Sequence, residues 1–311
     1  MHWADVVVAS GGGYLTDTWW WHAAGVLSVL ALAQSLGKPT AMFGQGVGPL
    51  RGRALQAMAS WVLPRLAALG LREEVTGLGL ALSCGVRPDV ITITGDEAIE
   101  VIPDTAAAAG SALGFNIRAA DYSGIGRDAA AAIGRCVVGV AHELGAPIVG
   151  LPVSRYATTS DLAVIGECLE RRQASREVAL ADLSSPAELM SASAQCRVVV
   201  TGSYHAAVYG LAQGVPAVCL SKSAYYDAKF AGLSALFPEA CQVVSLTHHD
   251  PAGPLRRAIV RAWQLPAAAR SAARDAAARQ RASGHSAYEG FRLSIDPARE
   301  LATPVSLRQA H

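Results

Sequence analysis

Short runs of β-branched residues, each followed by a glycine-bearing turn and then a helical stretch, recur along this chain. The clearest is Val198-Val199-Val200-Thr201-Gly202-Ser203-Tyr204-His205, where a strand meets a small-residue turn and a helix that Gly214 ends. A continuous apolar run is what a strand covered on both faces needs, and strands alternating with helices form parallel sheets through right-handed crossovers. The expected class is therefore α/β. At 311 residues the chain exceeds one ordinary compact domain, which favours two lobes, each with its own core.

The first unit is expected to run from a buried strand, Ala4 to Ala9, through the loop Gly11-Gly12-Gly13 to a helix capped by Thr16, Asp17 or Thr18. The second has a strand at Thr40 to Phe43, a loop Gly44-Gln45-Gly46-Val47-Gly48-Pro49, and an expected helix from Gly52 to Leu69. Small residues at 106–111 mark a join between lobes, which gives expected units at 1–105, 112–253 and a helical segment at 254–311 packed across both. A parallel sheet that opens on a buried strand at Ala4 reads as a lobe whose first β-α unit is absent. The edge left open predicts a homodimer through that edge, or aggregation.

Composition removes several classes. With 26 basic and 25 acidic residues spread evenly, the net charge is +1, and no basic arm or stripe invites nucleic acid. The six cysteines lack C-x-x-C spacing and read as small core residues. No signal peptide is visible, so a cytoplasmic location is expected, with at most peripheral contact at the inner face of the membrane. The longest apolar run, Trp19 to Ala33, is short of a bilayer span and is expected to be a buried helix.

A strand, a glycine turn and a helix N-terminus together form a device for holding an anion, and the chain offers it three times. Neither of the first two glycine runs fits G-x-G-x-x-G or the Walker pattern, so a nicotinamide or ATP site is not indicated. His205, at the first turn of its helix, is expected to face the cleft at the carboxyl edge of the sheet, where ligands of open α/β folds bind. Asp96 is a candidate for a sugar hydroxyl or a helix cap, Arg72-Glu73 for an ion pair or helix start, and Lys229 for a phosphate. Trp19-Trp20-Trp21 fits core or interface packing, with stacking on a sugar as the alternative, and His248-His249-Asp250 reads as a loop without a third metal ligand.

The segment Thr201 to Pro216, followed by Ala224-Tyr225-Tyr226-Asp227-Ala228-Lys229-Phe230, resembles the C-terminal signature of polysaccharide pyruvyl transferases. Further matches keep that family's order: Ser10-Gly11-Gly12-Gly13, Gly44-Gln45-Gly46-Val47-Gly48-Pro49, Leu71-Arg72-Glu73, Thr94-Gly95-Asp96 and Gly114-Phe115-Asn116-Ile117-Arg118. The resemblance implies two Rossmann-like lobes in the GT-B-like glycosyltransferase arrangement. It also implies transfer of the enolpyruvyl unit of phosphoenolpyruvate, the sole co-substrate, to two hydroxyls of a sugar or lipid-linked glycan, forming a ketal. His205 then matches the acid/base histidine and Arg118 an active-site arginine. Gly12, Gly13, Asp17, Gln45, Gly46, Arg72, Asp96, Asn116, Ser203, Tyr204 and Lys229 are the implied binding residues. Two departures stand out: Ser203 replaces the arginine of the family's Arg-Leu-His triplet, with Tyr204 at the leucine position, and the family's opening β-α portion is not present. A nucleotide-sugar glycosyltransferase of the same architecture and a degenerate binding protein are the alternative readings.

Overall fold

In the N-terminal lobe, β-branched and small residues build a parallel sheet, and the computed structural model describes residues 3–102, 110–154, 160–170, 178–179, 183, 185–247 and 250–296 of the chain. The order is β1 (Val7–Ala9), β2 (Gly12–Leu15), α1 (Trp20–Ser35), β3 (Thr40–Val47), α2 (Arg53–Val62), β4 (Ala68–Leu71), α3 (Gly77–Ser83) and β5 (Ile91–Ile93). β1 pairs with the start of β3, Val7 opposite Thr40, and β2 pairs with its end, Leu15 opposite Val47. β1 and β2 therefore act as two halves of one strand, broken at Ser10-Gly11, and the sheet continues from β3 to β4 and β5.

This corrects four expectations. Ala4 to Ala9 is strand only at Val7–Ala9 and is half-buried, because among the described residues its single strand partner is β3. Gly12 and Gly13 are in a strand, and Gly44 to Val47 are in β3; neither is a loop leading straight into a helix. Glycine is needed there for close approach: a Cβ on Gly44, whose φ is +58°, would meet the Glu97 side chain at 2.6 Å and the Gly11 Cα at 3.2 Å. The expected helix Gly52 to Leu69 stops at Val62, since Pro64 has no N–H to continue it and leads a turn at Leu63–Arg65. The Trp19 to Ala33 run does form α1, yet only Ala23, Leu27, Leu30 and Ala33 are buried, because the helix covers the sheet with one side alone.

The C-terminal lobe comprises β6 (Ala112–Asn116), α4 (Arg127–Leu144), β7 (Ile148–Gly150), α5 (Asp161–Glu170), β8 (Val178–Ala179), α6 (Pro186–Ala194), β9 (Cys196–Thr201), α7 (Tyr204–Ala212), β10 (Ala217–Ser221), α8 (Ala224–Leu236) and β11 (Cys241–Ser245). Its parallel strands lie in the order β11-β10-β9-β6-β7-β8. Alternation along β9 feeds two cores: Val198 and Val200 join Val137, Val218 and Ile259 on one face, while Val199 joins Ala207, Cys219 and Phe230 on the other. Each face is covered by helices, which is why the strand reads as unbroken valine. Cys84, Cys196, Cys219 and Cys241 are buried; Cys136 and Cys168, also expected in the core, are partly exposed on the flanks of α4 and α5.

Two further helices, α9 (Ala252–Trp263) and α10 (Ala267–Ile295), follow. α10 lies against α7 of the C-terminal lobe and against β3, β4 and β5 of the N-terminal lobe. Its Ser283 hydroxyl donates to the Ile93 carbonyl (2.7 Å), and Phe291 and Tyr288 pack on Phe43. Most of the expected join at 106–111, and His248 with His249, lie outside the described residues.

Candidate active site

In the C-terminal sheet the chain leaves β6 toward one side and β9 toward the other, so a crevice forms between their carboxyl ends. The two exits almost touch: a Cβ on Gly202 would lie 3.2 Å from the Arg118 amide nitrogen. Thr201 fixes this turn, its Oγ1 accepting from the Ser203 N–H (2.8 Å) and lying 3.1 Å from Asn116 Oδ1. Ser203 is the N-cap of α7 and is buried, but its hydroxyl makes no cap bond.

Arg118 is buried and its forked face is occupied. Its Nη2 donates to Asp161 Oδ2 at 3.0 Å, its Nε stands 2.8 Å from Oδ1 in an ion pair, and its Nη1 donates to the Tyr122 hydroxyl at 2.8 Å. Asp161 also accepts from Asn116 Nδ2 (3.0 Å) and from the Val153 and Ser154 amides. Asn116 and Arg118 thus hold the β6 and β7 exits together through one carboxylate, a partner 43 residues from Arg118 that no local sequence signal marks.

Across the cleft, the N-terminal lobe presents Gly13, Arg72 and Asp96. Arg72 is 3% exposed and forms an ion pair with Asp96 (3.0 Å), whose other oxygen caps the Glu97–Val101 turn through Ala98 N–H. Glu73 is not the partner of Arg72: it accepts from the Thr76 and Gly77 amides at the start of α3. The Arg72 guanidinium lies over the ring of buried Tyr204, and Lys229 Nζ lies 4.3 Å from the Tyr225 ring centroid and 5.7 Å from that of Tyr204. Gly13 packs directly against this lysine: a Cβ there would stand 2.8 Å from Nζ. Trp19 Nε1 donates to the Tyr225 hydroxyl (3.1 Å), which closes one end of the cleft with an aromatic contact between lobes.

His205 projects from the first turn of α7 into this space. Its ring is exposed to the cleft and enclosed by protein on its other sides, with Tyr204 and Tyr209 as aromatic neighbours. Enclosure lowers its pKa below the ordinary histidine value, Arg72, Lys229 and Arg118 lower it further, and Asp96 opposes them. Lys229 forms no ion pair among the described residues. Burial, with Arg72 adding to it, brings its pKa down to about 7.

The structure therefore gathers Gly13, Arg72, Asp96, Tyr204, His205 and Lys229 in one cleft, with Asn116, Arg118 and Ser203 at the adjoining crevice. Gly46 borders the cluster, since its Cβ would lie 3.4 Å from the Gly13 Cα and 3.8 Å from Arg72 Nη1. Gly12, Gln45 and Asp17 serve the framework. Gln45 Nε2 donates to the Ser10 carbonyl (2.6 Å) and the Tyr14 hydroxyl (3.0 Å), Gly12 makes room for the Tyr14 ring, and Asp17 accepts from the Arg51 and Gly52 amides. Tyr122, Tyr225, Asp161 and Glu97 were not marked as site residues by the sequence; Tyr122 serves Arg118 four residues away, and the other three act through partners far away in the chain. A space of about 300 Å³ opens beside Asp96, lined by Phe43, Glu97, Glu100, His285 and Tyr288. A larger one of about 470 Å³, between the loop after Arg118 and α5, contains no residue of the cluster. Among the described residues no three His, Cys, Asp or Glu side chains come together as a metal site.

Two parallel α/β lobes facing each other across such a cleft define a GT-B-like protein. A sequence profile of the polysaccharide pyruvyl transferase family matches residues 2–223, and the chain belongs to that family. Among solved structures it is similar to a UDP-N-acetylglucosamine 2-epimerase at 10% identity and a TM-score of 0.58, over 99% of this chain and 76% of that one. The UDP-GlcNAc 2-epimerase from Neisseria meningitidis bound to UDP-GlcNAc gives 12% and 0.55 over 95% and 76%, respectively. The glycotransferase of kitacinnamycin gives 14% and 0.52 over 95% and 76%. At such identities these likenesses concern the fold alone. A comparison with curated protein sequences finds no match.

Proposed function

We propose that this transferase moves the enolpyruvyl unit of phosphoenolpyruvate onto a sugar and closes it as a cyclic ketal. The observation that carries this reading is the gathering in one cleft of His205 and Lys229 from the C-terminal lobe with Arg72 from the N-terminal lobe, where Lys229 has no ion-pair partner among the described residues. A small, highly charged anion suits that arrangement: its phosphate and carboxylate supply the missing counter-charge, and bound there they raise the proton affinity of both Lys229 and His205.

The chemistry then follows. His205 as imidazolium donates its proton to the methylene carbon, and the central carbon becomes electrophilic. One sugar hydroxyl attacks that carbon, phosphate departs, and a second hydroxyl of the same sugar closes the ring. The two hydroxyl protons leave with phosphate and return to His205. Arg72 and Lys229 stabilise the departing phosphate, so Lys229 and Arg72 take over the charge that Ser203 does not provide. The space beside Asp96, with Glu97 and Tyr288 on its wall, is where the acceptor sugar would lie.

Titration calorimetry with phosphoenolpyruvate and with a nucleotide sugar tests the donor. Phosphoenolpyruvate binding that is lost in Lys229→Met supports the reading. Binding of a nucleotide sugar alone would assign the cleft to glycosyl transfer, and binding of neither would leave a non-catalytic member of the family.

A further inference from the structure

One face of the N-terminal lobe combines exposed apolar and cationic side chains in an unusual way. α1 and α2 bridge successive parallel strands by right-handed crossovers, so they lie side by side on one side of the sheet and pack together. A helix that is apolar all round is ordinarily buried. α1 is instead solvent-facing along one side, with Trp20, Trp21, Val29 and Leu32 exposed, Trp21 to 74%, and Trp61 of α2 is 47% exposed. Trp20 and Trp21 stack on each other at 3.5 Å, away from the protein core.

The charges that α1, α2 and their flanking segments carry are of one sign. From Thr18 to Arg72 the chain contains no Asp or Glu, while Lys38, Arg51, Arg53 and Arg65 flank the exposed tryptophans. Arg51 and Arg53 stand at the N-terminal end of α2, the same edge of the sheet as Trp20 and Trp21. Arg65 lies over the Trp61 ring at 4.5 Å, with Lys38 at the corresponding end of α1. Of the carboxylates that border this stretch, Asp17 accepts from the Arg51 and Gly52 amides and Glu73 from the Thr76 and Gly77 amides.

We propose that this α1/α2 face docks on an anionic lipid bilayer, its tryptophans at headgroup level and its arginines on lipid phosphates. Charge complementarity selects the bilayer over a second copy of the chain. A two-fold partner would set these cationic segments against themselves. Trp19, the neighbour of Trp20, bonds Tyr225 at the cleft, so docking would also bring the cleft mouth to the membrane surface. None of this depends on the donor assigned above.

Flotation of the full chain with vesicles tests the proposal, comparing phosphatidylcholine alone with a mixture containing about one third phosphatidylglycerol. Binding is expected to be at least about tenfold stronger to the anionic vesicles and to weaken as salt is raised. A basic residue near an anionic surface is worth about a fivefold change in partitioning, so Arg51→Glu with Arg53→Glu is expected to lower binding by at least about 25-fold. Trp20→Ser with Trp21→Ser is expected to weaken vesicle binding and to reduce the blue shift of tryptophan emission on vesicle addition, Trp61 remaining on the face. Thermal melting of both variants, whose side chains are exposed, confirms that they fold. Equal flotation with both vesicle types, none with either, or indifference to the two variants would overturn the proposal. So would a dimer seen by light scattering that Trp20→Ser with Trp21→Ser dissociates without any vesicle binding.

Discussion

The Arg72 guanidinium lies 4.8 Å over the Tyr204 ring while its Nε stands 3.0 Å from Asp96 Oδ2, so one arginine ties a carboxylate of the N-terminal lobe to the first turn of α7 in the other. Both members of the ion pair are buried. Removing one partner of a buried pair leaves an uncompensated charge, which costs about 3–5 kcal/mol. Arg72→Met is therefore expected to lose that much stability in urea denaturation, and adding Asp96→Asn is expected to restore most of it. A double variant no more stable than Arg72→Met would mean that the arginine acts through Tyr204 alone.

His205 stands outside both cores of its lobe, and its ring faces the cleft. His205→Ala is expected to keep stability within about 0.5 kcal/mol, as exposed substitutions do. Loss of the proton donor is expected to lower turnover by about 10²–10⁴-fold, measured as phosphate released from phosphoenolpyruvate. A fully active variant would remove the histidine from the chemistry.

Arg118 has two separable roles to test. Arg118→Ala deprives Asp161 Oδ1 of its charged partner while Asn116 and two amides still serve Oδ2, so a destabilisation of about 3 kcal/mol is expected. If the arginine also contacts the donor, phosphoenolpyruvate affinity falls by about 1.5–3 kcal/mol in calorimetry. Lost stability with unchanged affinity would leave Arg118 as the support of the crevice.

Lys229 predicts a pH signature. Its folded-state pKa of about 7 lies below the ordinary 10.5 of an unfolded lysine. Below pH 7 both states carry the proton, and the folded state bears the full penalty of a charge enclosed in the cleft. As pH rises through 7 the folded form releases its proton and the penalty fades, so this residue makes stability rise between pH 7 and about 10.5. Lys229→Met is expected to melt about 2–4 °C higher than the parent at pH 6, with the gap narrowing by pH 9. Phosphoenolpyruvate binding at pH 8 is expected to take up a proton, read from calorimetry in buffers of different ionisation enthalpy. A pH-independent gap, or no proton uptake, would contradict the lysine's place in the site.

The legible parts of this protein were those governed by near neighbours in sequence. Val198 to Val200 and the turn into Tyr204 announced β9 and α7 because burial on both faces demands an apolar run and Gly214 stops the helix. The glycines misled for a physical reason: Gly44 and Gly46 serve contacts with Glu97, Gly11 and Gly13, which sequence spacing does not reveal, and so resemble loop residues. β11 and α6 were not expected, although Ser185-Pro186 with Glu188 is a helix-start signal that the structure realises as a capping box. In the cleft, His205 and Lys229 were legible as chemistry on a helix. The pairings of Arg72 with Asp96 and Arg118 with Asp161 join residues 24 and 43 positions apart, and only folding brings them together.

α10 also has a consequence for how the protein is made. It is the last described element, yet it covers Phe43 with Tyr288 and Phe291 and receives the Ile93 carbonyl on Ser283. While the ribosome is still extending the chain, this sheet has one bare side, and Phe43 must wait until Tyr288 and Phe291 have emerged. Vectorial synthesis therefore completes the first lobe after the second, and a ribosome that stalls before Ala267 releases a nascent chain with that sheet open to chaperones and proteases.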